Sequence, residues 1–178
     1  RSSLPKGAPN IRIVLGYPSL DDSRGYLNIG QNRQAKFFSV GEEAAIFPCV
    51  MAWAATRLKK AGHEVIWDDG QFSQDGCPPS WHCQLHKLVD LKPDLVCWEV
   101  KTPSAKRASQ AARRLQEALP DTRMVLVGDH ATALPEEAHL GAIANVITGG
   151  DYDFGLLQWI KEGMPAGVYH YPTDTNLD

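Results

Sequence analysis

The chain has 178 residues, 43% of them apolar and 22% charged, which predicts one soluble globular domain large enough to bury roughly 70% of its unfolded surface. A net charge of −3 argues against a dedicated nucleic-acid binder, which needs a basic face. The longest apolar run, residues 44–55, is broken by Pro48 and is too short to cross a bilayer, so no membrane partner is expected.

Residues 1–10 hold Pro, Gly and Ser and read as a loose lead-in; the chain opens on Arg1 rather than Met, so the true start is expected upstream. Ile11 to Leu15 is a short β-branched run and a buried strand candidate, stopped by Gly16-Tyr17-Pro18-Ser19. Residues 20–44 form a long polar loop with Gly25, Gly30 and Gly41, a length that favours function or mobility. A helix follows, with Pro48 near its first turn and Phe47, Val50, Met51, Ala54 and Leu58 on one face. Arg57, Lys59 and Lys60 suit its C-terminal dipole, and Gly62 is its natural stop. Glu64 to Trp67 is the second strand, ended by Asp68-Asp69-Gly70, and Trp81 to Leu91 a second helix closed by Pro93. Leu95 to Val100 is the third strand, with Lys101-Thr102-Pro103-Ser104 as its loop.

Ser104 is placed to cap a helix running to Leu119, with Ala108, Ala111, Ala112, Leu115 and Leu119 on its apolar side. Lys106, Arg107, Arg113 and Arg114 read as a solvated face, with anion binding as the alternative. Met124 to Val127 is the fourth strand and Pro135 to Leu140 a short helix. Asn145 to Thr148 is the fifth strand, followed by Gly149-Gly150-Asp151. Asp153 is placed to cap a last helix from Phe154 to Lys161, and residues 163–178 read as a linker.

Of the four cysteines, Cys49 and Cys97 lie in apolar stretches and are expected as buried thiols. Cys77, Cys83 and His86 are metal-ligating types close in sequence, but no C-x-x-C pair is present and no metal site is assigned. Reduced cysteines in a cytoplasmic protein are the simplest expectation. Trp53 and Trp67 are expected in the core.

Five strands alternating with helices imply an α/β domain with a parallel sheet, helices on both faces and strand order 2-1-3-4-5. In such sheets ligands bind beyond the carboxyl ends of the strands, near the switch point between strands one and three. Four loops converge there: 16–19, 101–104, 128–131 and 149–151. They offer bare glycine backbone, the hydroxyls of Thr102 and Ser104, the acids Asp129 and Asp151, and the imidazole of His130, a set suited to hydrogen-bonding a large polar cofactor. They hold no G-x-S-x-G elbow, Walker A loop or G-x-G-x-x-G after the first strand, and Asp21-Asp22 come too late for a phospho-acceptor pocket. Plainer roles compete at each position: Gly128, Gly149 and Gly150 as turn formers, Ser104 as a cap, Thr102 as a restraint before Pro103. His130 reads either as a cofactor or substrate contact or as a structural donor that holds Asp129.

The ordered set Gly16-Tyr17-Pro18-Ser19, Ala54 to Val65, Trp98-Glu99-Val100-Lys101-Thr102-Pro103, Gly128 to Glu137 and Gly149-Gly150-Asp151-Tyr152-Asp153 resembles the N-terminal cobalamin-binding domain of cobalamin-dependent radical S-adenosylmethionine proteins. The resemblance covers about residues 11 to 170. It implies a flavodoxin-like, Rossmann-type domain over 11–162 that holds a corrin above the strand ends, with 163–178 leading toward a barrel absent from this chain. It places Tyr17, Pro18 and Ser19 in a first cofactor loop, Thr102, Pro103 and Ser104 in a second, Gly128, Asp129 and His130 in a third, and Gly149, Gly150 and Asp151 in a fourth. The D-x-H-x-x-G motif that supplies an axial histidine is absent, so the implied cobalamin is base-off with no histidine on cobalt. The C-x-x-x-C-x-x-C triplet of the family's iron–sulfur barrel is also absent. The implied role is therefore to position cobalamin for a methyltransferase-type or related barrel, in cis or in trans, that carries the cluster and S-adenosylmethionine; this chain alone would have no turnover and no catalytic residue. Asp129 and the Gly-Gly-Asp-Tyr-Asp run depart from the family's usual residues. A cofactor-free docking module of the same fold is one alternative, and a flavin- or nucleotide-binding flavodoxin-like domain another.

Overall fold

The structure is a computed structural model that describes residues 10–19, 48–70, 80–149 and 152–172. Six strands form one parallel sheet: β1 (Arg12–Tyr17), β2 (Glu64–Asp69), β3 (Leu95–Glu99), β4 (Arg123–Val127), β5 (Asn145–Thr148) and β6 (Val168–His170), in the order β2-β1-β3-β4-β5-β6. Helices α1 (Cys49–Lys60), α2 (Trp81–Leu91), α3 (Ala105–Ala118), α4 (Asp129–Ala133), α5 (Pro135–Ala142) and α6 (Tyr152–Lys161) connect them. The α/β class and the order of the first five strands are as the residue pattern predicts.

Alternation along each strand divides the core in two. Ile13, Leu15 and Tyr17 of β1, Leu95 and Cys97 of β3, and Val125 and Val127 of β4 face α1 and α6 through Met51, Ala54, Leu58, Leu156 and Trp159. Val14, Val96, Trp98, Met124 and Leu126 face the opposite way, against Leu88 of α2, Ala108, Ala112 and Leu115 of α3, and Ala138 of α5. Strands buried on both sides must be apolar throughout, which is why they read as continuous Val/Ile/Leu runs. The alanine face of α3 lets that helix lie close to the sheet, and Trp98 fills the remaining space edge-to-face with Trp81 at 5.9 Å. Each fully buried Leu or Trp contributes roughly 2–3 kcal/mol.

Several expectations are corrected. The first strand does not stop at Leu15 but runs through Gly16 and Tyr17, and the second continues through Asp68 and Asp69, because these two ends pair with each other. Both aspartates are buried. A separate short helix, α4, precedes the helix at Pro135. Asp153 lies inside the first turn of α6 rather than capping it; it is buried and meets Arg57 of α1 at 2.5 Å, while Arg57 also stacks over Phe154 at 3.6 Å. Trp53 is 60% exposed and Trp67 only half-buried, so the core is filled by Trp98 and Trp159 instead. Cys97 is a buried thiol, but Cys49 is exposed at the first position of α1. Phe47, Cys77 and the 20–44 loop lie outside the described residues.

The largest correction concerns the C-terminal stretch. Residues 163–172 are not a free linker, because β6 extends the sheet beyond β5. Buried Asn145 makes this possible: its Nδ2 donates to the Met124 carbonyl at 3.0 Å, and its Oδ1 accepts from Gly167 N–H at 3.0 Å. Trp159 Nε1 donates to the Pro165 carbonyl at 3.0 Å, which brings the chain back from α6.

Gly16 sits where β1 and β2 approach most closely: a Cβ built there would lie 1.7 Å from the Asp68 carbonyl oxygen. A backbone oxygen cannot move aside without breaking the strand pair, so Gly16→Ala is expected to cost about 3 kcal/mol. Urea unfolding measures it, and a loss below about 0.5 kcal/mol contradicts the close approach.

Candidate functional site at the carboxyl edge of the sheet

The strand order reverses between β1 and β3, so the loops after these strands diverge to opposite faces and leave a crevice at their carboxyl ends. Glu99, the last residue of β3, points into it and is 9% exposed. Its Oε2 accepts from Tyr17 Oη at 3.0 Å and from Tyr152 Oη at 2.7 Å, and its Oε1 meets Lys101 Nζ at 2.6 Å. Lys101 is two residues further on, so both side chains leave the strand on one side. Its Nζ also reaches Asp129 Oδ2 at 3.0 Å. One carboxylate thus ties β1, β3 and α6 together and, through Lys101, holds the start of α4.

Gly128 completes the join. Its φ is +98°, and a Cβ would stand 2.6 Å from Glu99 Cγ, so a side chain there is excluded by conformation and by space. Val100 N–H donates to the Val127 carbonyl at 2.8 Å and His130 N–H to the Val100 carbonyl at 3.1 Å, which fastens the second and third loops to each other. Thr132 Oγ1 accepts from Gly149 N–H at 3.0 Å and links the third loop to the fourth.

The first loop is held from the other side. Gln84 of α2, buried, donates through Nε2 to the Tyr17 carbonyl at 2.9 Å and to Asp68 Oδ2 at 2.7 Å, and accepts from Ser19 N–H through Oε1 at 2.6 Å. Lys87 Nζ pairs with Asp68 Oδ1 at 3.1 Å.

The residues assigned to the four loops therefore have distinct surroundings. Tyr17 and Pro18 are buried, with the Tyr17 phenol engaged by Glu99. Ser19 is 2% exposed, and its Oγ has no hydrogen-bond partner among the described residues. Thr102 and Pro103 are exposed on a 3-10 turn. Ser104 is buried and makes no capping bond to α3; its Oγ donates to the Lys101 carbonyl at 2.9 Å instead, closing the turn. Asp129 is half-buried against Lys101. His130 is 2% exposed, with Nδ1 unpartnered among the described residues and Nε2 4.0 Å from Glu137 Oε1. Its alternative role, holding Asp129, belongs to Lys101. Gly149 has φ +116°, and Gly150 and Asp151 lie outside the described residues.

Glu99, Lys101, Tyr152, Gln84 and Thr132 were not among the site residues read from sequence. For two of them a signal exists: an acid closing an apolar strand, with a lysine two positions later, marks a buried ion pair. Tyr152, Gln84 and Thr132 have none, since each is brought in by packing of a helix.

No protein-family model and no curated protein matches the chain. Among solved structures, the fold is similar to a response regulator from Thermotoga maritima, with a TM-score of 0.50 and 15% sequence identity over 86% of this chain and 98% of that one. At that identity the likeness establishes a flavodoxin-like parallel α/β fold and carries no activity across.

The crevice is electrostatically closed. Burial, then the Glu99 charge and its hydrogen bond, push the Tyr17 phenol far above the usual tyrosine range. Burial and Glu99 do the same to Tyr152, and burial raises the Cys97 thiol. For Lys101, burial alone would lower the pKa, but Glu99 and Asp129 outweigh it and the net shift is upward. All these folded-state values lie above the unfolded ones. The stability they confer is complete below about pH 8.5–10, where the unfolded thiol and phenols begin to ionise, and is lost as pH rises further. Burial and the Glu162 carboxylate also raise the Tyr171 phenol. Tyrosinate absorbance near 295 nm is expected to show the Tyr17 and Tyr152 phenols silent until the alkaline unfolding transition, and one fewer silent phenol in Tyr152→Phe. Titration of all phenols before unfolding contradicts the buried cluster.

Proposed function

We propose that this chain is a cobalamin-binding domain that orients the corrin for a radical S-adenosylmethionine barrel supplied in cis or in trans. The observation that carries the reading is that two of the four buried polar atoms without a partner among the described residues, Ser19 Oγ and His130 Nδ1, lie on two different loops of the carboxyl edge; the other two are His63 Nδ1 and Trp98 Nε1. A buried polar atom without a partner costs about 1–3 kcal/mol, which a ligand that reaches it and supplies the missing hydrogen bond would offset. A corrin carries a rim of amides that both donate and accept hydrogen bonds, so its chemistry fits this donor set.

Glu99, Tyr17 and Tyr152 fill the sheet edge between β1 and β3. The groups left to hold the cofactor are Ser19 in the first loop, Thr102 in the second, His130 in the third and the backbone around Gly128 and Gly149. When bound, cobalamin supplies a cobalt able to carry a methyl group, and the protein supplies orientation. Lys101, paired with Glu99 and Asp129, holds the third loop in place. In this reading His130 would hold the cofactor as a hydrogen-bonding partner of its amide rim. The same reading assigns the iron–sulfur cluster, S-adenosylmethionine and turnover to the barrel.

The second reading, a cofactor-free docking module, is favoured by the internal pairing of Lys101 with both carboxylates, which engages these charges within the chain without a ligand. Titration with hydroxocobalamin followed by absorbance and calorimetry separates the two. Cobalamin binding is expected at tens of micromolar or tighter, weakened about tenfold in Ser19→Ala and in His130→Phe by loss of one hydrogen bond. A folded protein that ignores cobalamin at 100 µM overturns the proposal, and one that turns yellow with flavin replaces it with the third reading.

No helix among the described residues is long and apolar enough to cross a membrane. The proposed setting is the cytoplasm. Cys83 is disulfide-bonded in the structure, a state that oxidising compartments maintain. The cytoplasmic setting therefore requires Cys83 to be reduced in the cell, which alkylation of fresh lysate and mass spectrometry report; an oxidised Cys83 moves the protein to an oxidising compartment.

A further inference from the structure

A histidine pair lies away from the crevice, on the outer face of α2. His82 and His86 are one helical turn apart, so both imidazoles leave the same side, and both are exposed. Their rings pack with centroids 4.4 Å apart and planes at 73°. With metal–nitrogen bonds of ~2.1 Å and an angle of about 90–110° at the ion, two rings ligating one metal stand roughly 4.5–5 Å apart between centroids. The pair needs only a small side-chain rotation to reach that arrangement.

The backbone beneath the pair is held on several sides. Ser80 Oγ accepts from Cys83 N–H at 3.2 Å and caps the helix, and Cys83 between the two histidines is disulfide-bonded. Gln84 is locked to Tyr17, Ser19 and Asp68, and Leu88 is fully buried. A ligand pair on a fixed helix loses little freedom on binding, which is the condition for chelation. With the disulfide intact, the state to which this inference applies and in which the chain is to be tested, the Cys83 sulfur is not a ligand; Cys77 lies outside the described residues. No group of three or more His, Cys, Asp or Glu residues positioned for a metal occurs among the described residues. What remains is a two-nitrogen site.

We propose that His82 and His86 chelate one divalent transition ion of the imidazole-preferring class, Zn²⁺, Ni²⁺ or Cu²⁺, through one ring nitrogen each, with water in the remaining positions. Asp90 is a further turn along the same exposed face and adds a negative charge that favours a cation there. Magnesium and calcium, which take oxygen ligands, do not fit the pair.

The tag-free chain is titrated with NiCl2 by calorimetry and with CuCl2 by electron paramagnetic resonance. The expected results are one ion per chain, a copper spectrum with two nitrogen ligands, and a melting temperature that rises with nickel. His82→Asn and His86→Asn, both exposed substitutions that leave the circular dichroism unchanged, are each expected to weaken binding at least about tenfold by breaking the chelate, and the double variant to lose it. Equal nickel binding by the wild type and the double variant overturns the proposal by assigning the metal to other histidines. Absence of binding by the wild type at millimolar nickel overturns it outright.

Discussion

The organisation of this protein's carboxyl edge depends on one buried carboxylate. Glu99 closes the central strand at the place where the sheet changes direction, and because it is nearly buried there its charge has to be satisfied largely by the protein. Two phenols and an ammonium satisfy it, and each comes from a different part of the chain. Removing any one would leave a buried charge under-solvated, a penalty of several kcal/mol that makes the partners interdependent. The positions of β1, α6 and the loop after β3 are therefore coupled, and through Lys101 and Asp129 the start of α4 joins them.

This coupling explains the uneven character of the loops above the sheet. Where a loop residue helps to satisfy Glu99 or its partners, its polar groups are used up inside the protein, as with Tyr17, Lys101 and Ser104. Ser19 and His130 stand outside that network; they are buried, and each keeps an unpaired atom among the described residues. The distribution is that of an internally satisfied floor with two unpaired polar atoms beside it. The same logic applies on the far side of β1, where Gln84 fixes the loop after the strand and, through α2, the backbone that carries His82 and His86.

Much of the fold was legible along the chain. The helix over Trp81–Leu91 and the strand over Asn145–Thr148 have the bounds their residues predict, because Ser80, Pro93 and the bordering Gly149 act locally. The site was less legible. Gly128, Asp129 and His130 stand at a strand end that sequence can locate, but Tyr152 is 53 residues from Glu99, and no pattern in either segment announces the contact. Trp53 fails for a different reason: residue type suggested core, but helical spacing already puts it roughly a third of a turn away from the buried Met51, Ala54 and Leu58.

What the amino-acid order determined by itself is the alternation of elements, the parallel sheet and the edge at which its loops collect. These follow from periodicity, capping and turn chemistry, which act over a few residues. The tertiary structure alone decided that β1 and β2 run on through Tyr17 and Asp69, that Val168–His170 adds a sixth strand, and that Glu99 draws Tyr17, Tyr152 and Lys101 to one point. Each of those outcomes comes from pairing a donor with an acceptor across long stretches of chain. Such partners are chosen by burial, and burial exists only once the sheet and helices have packed.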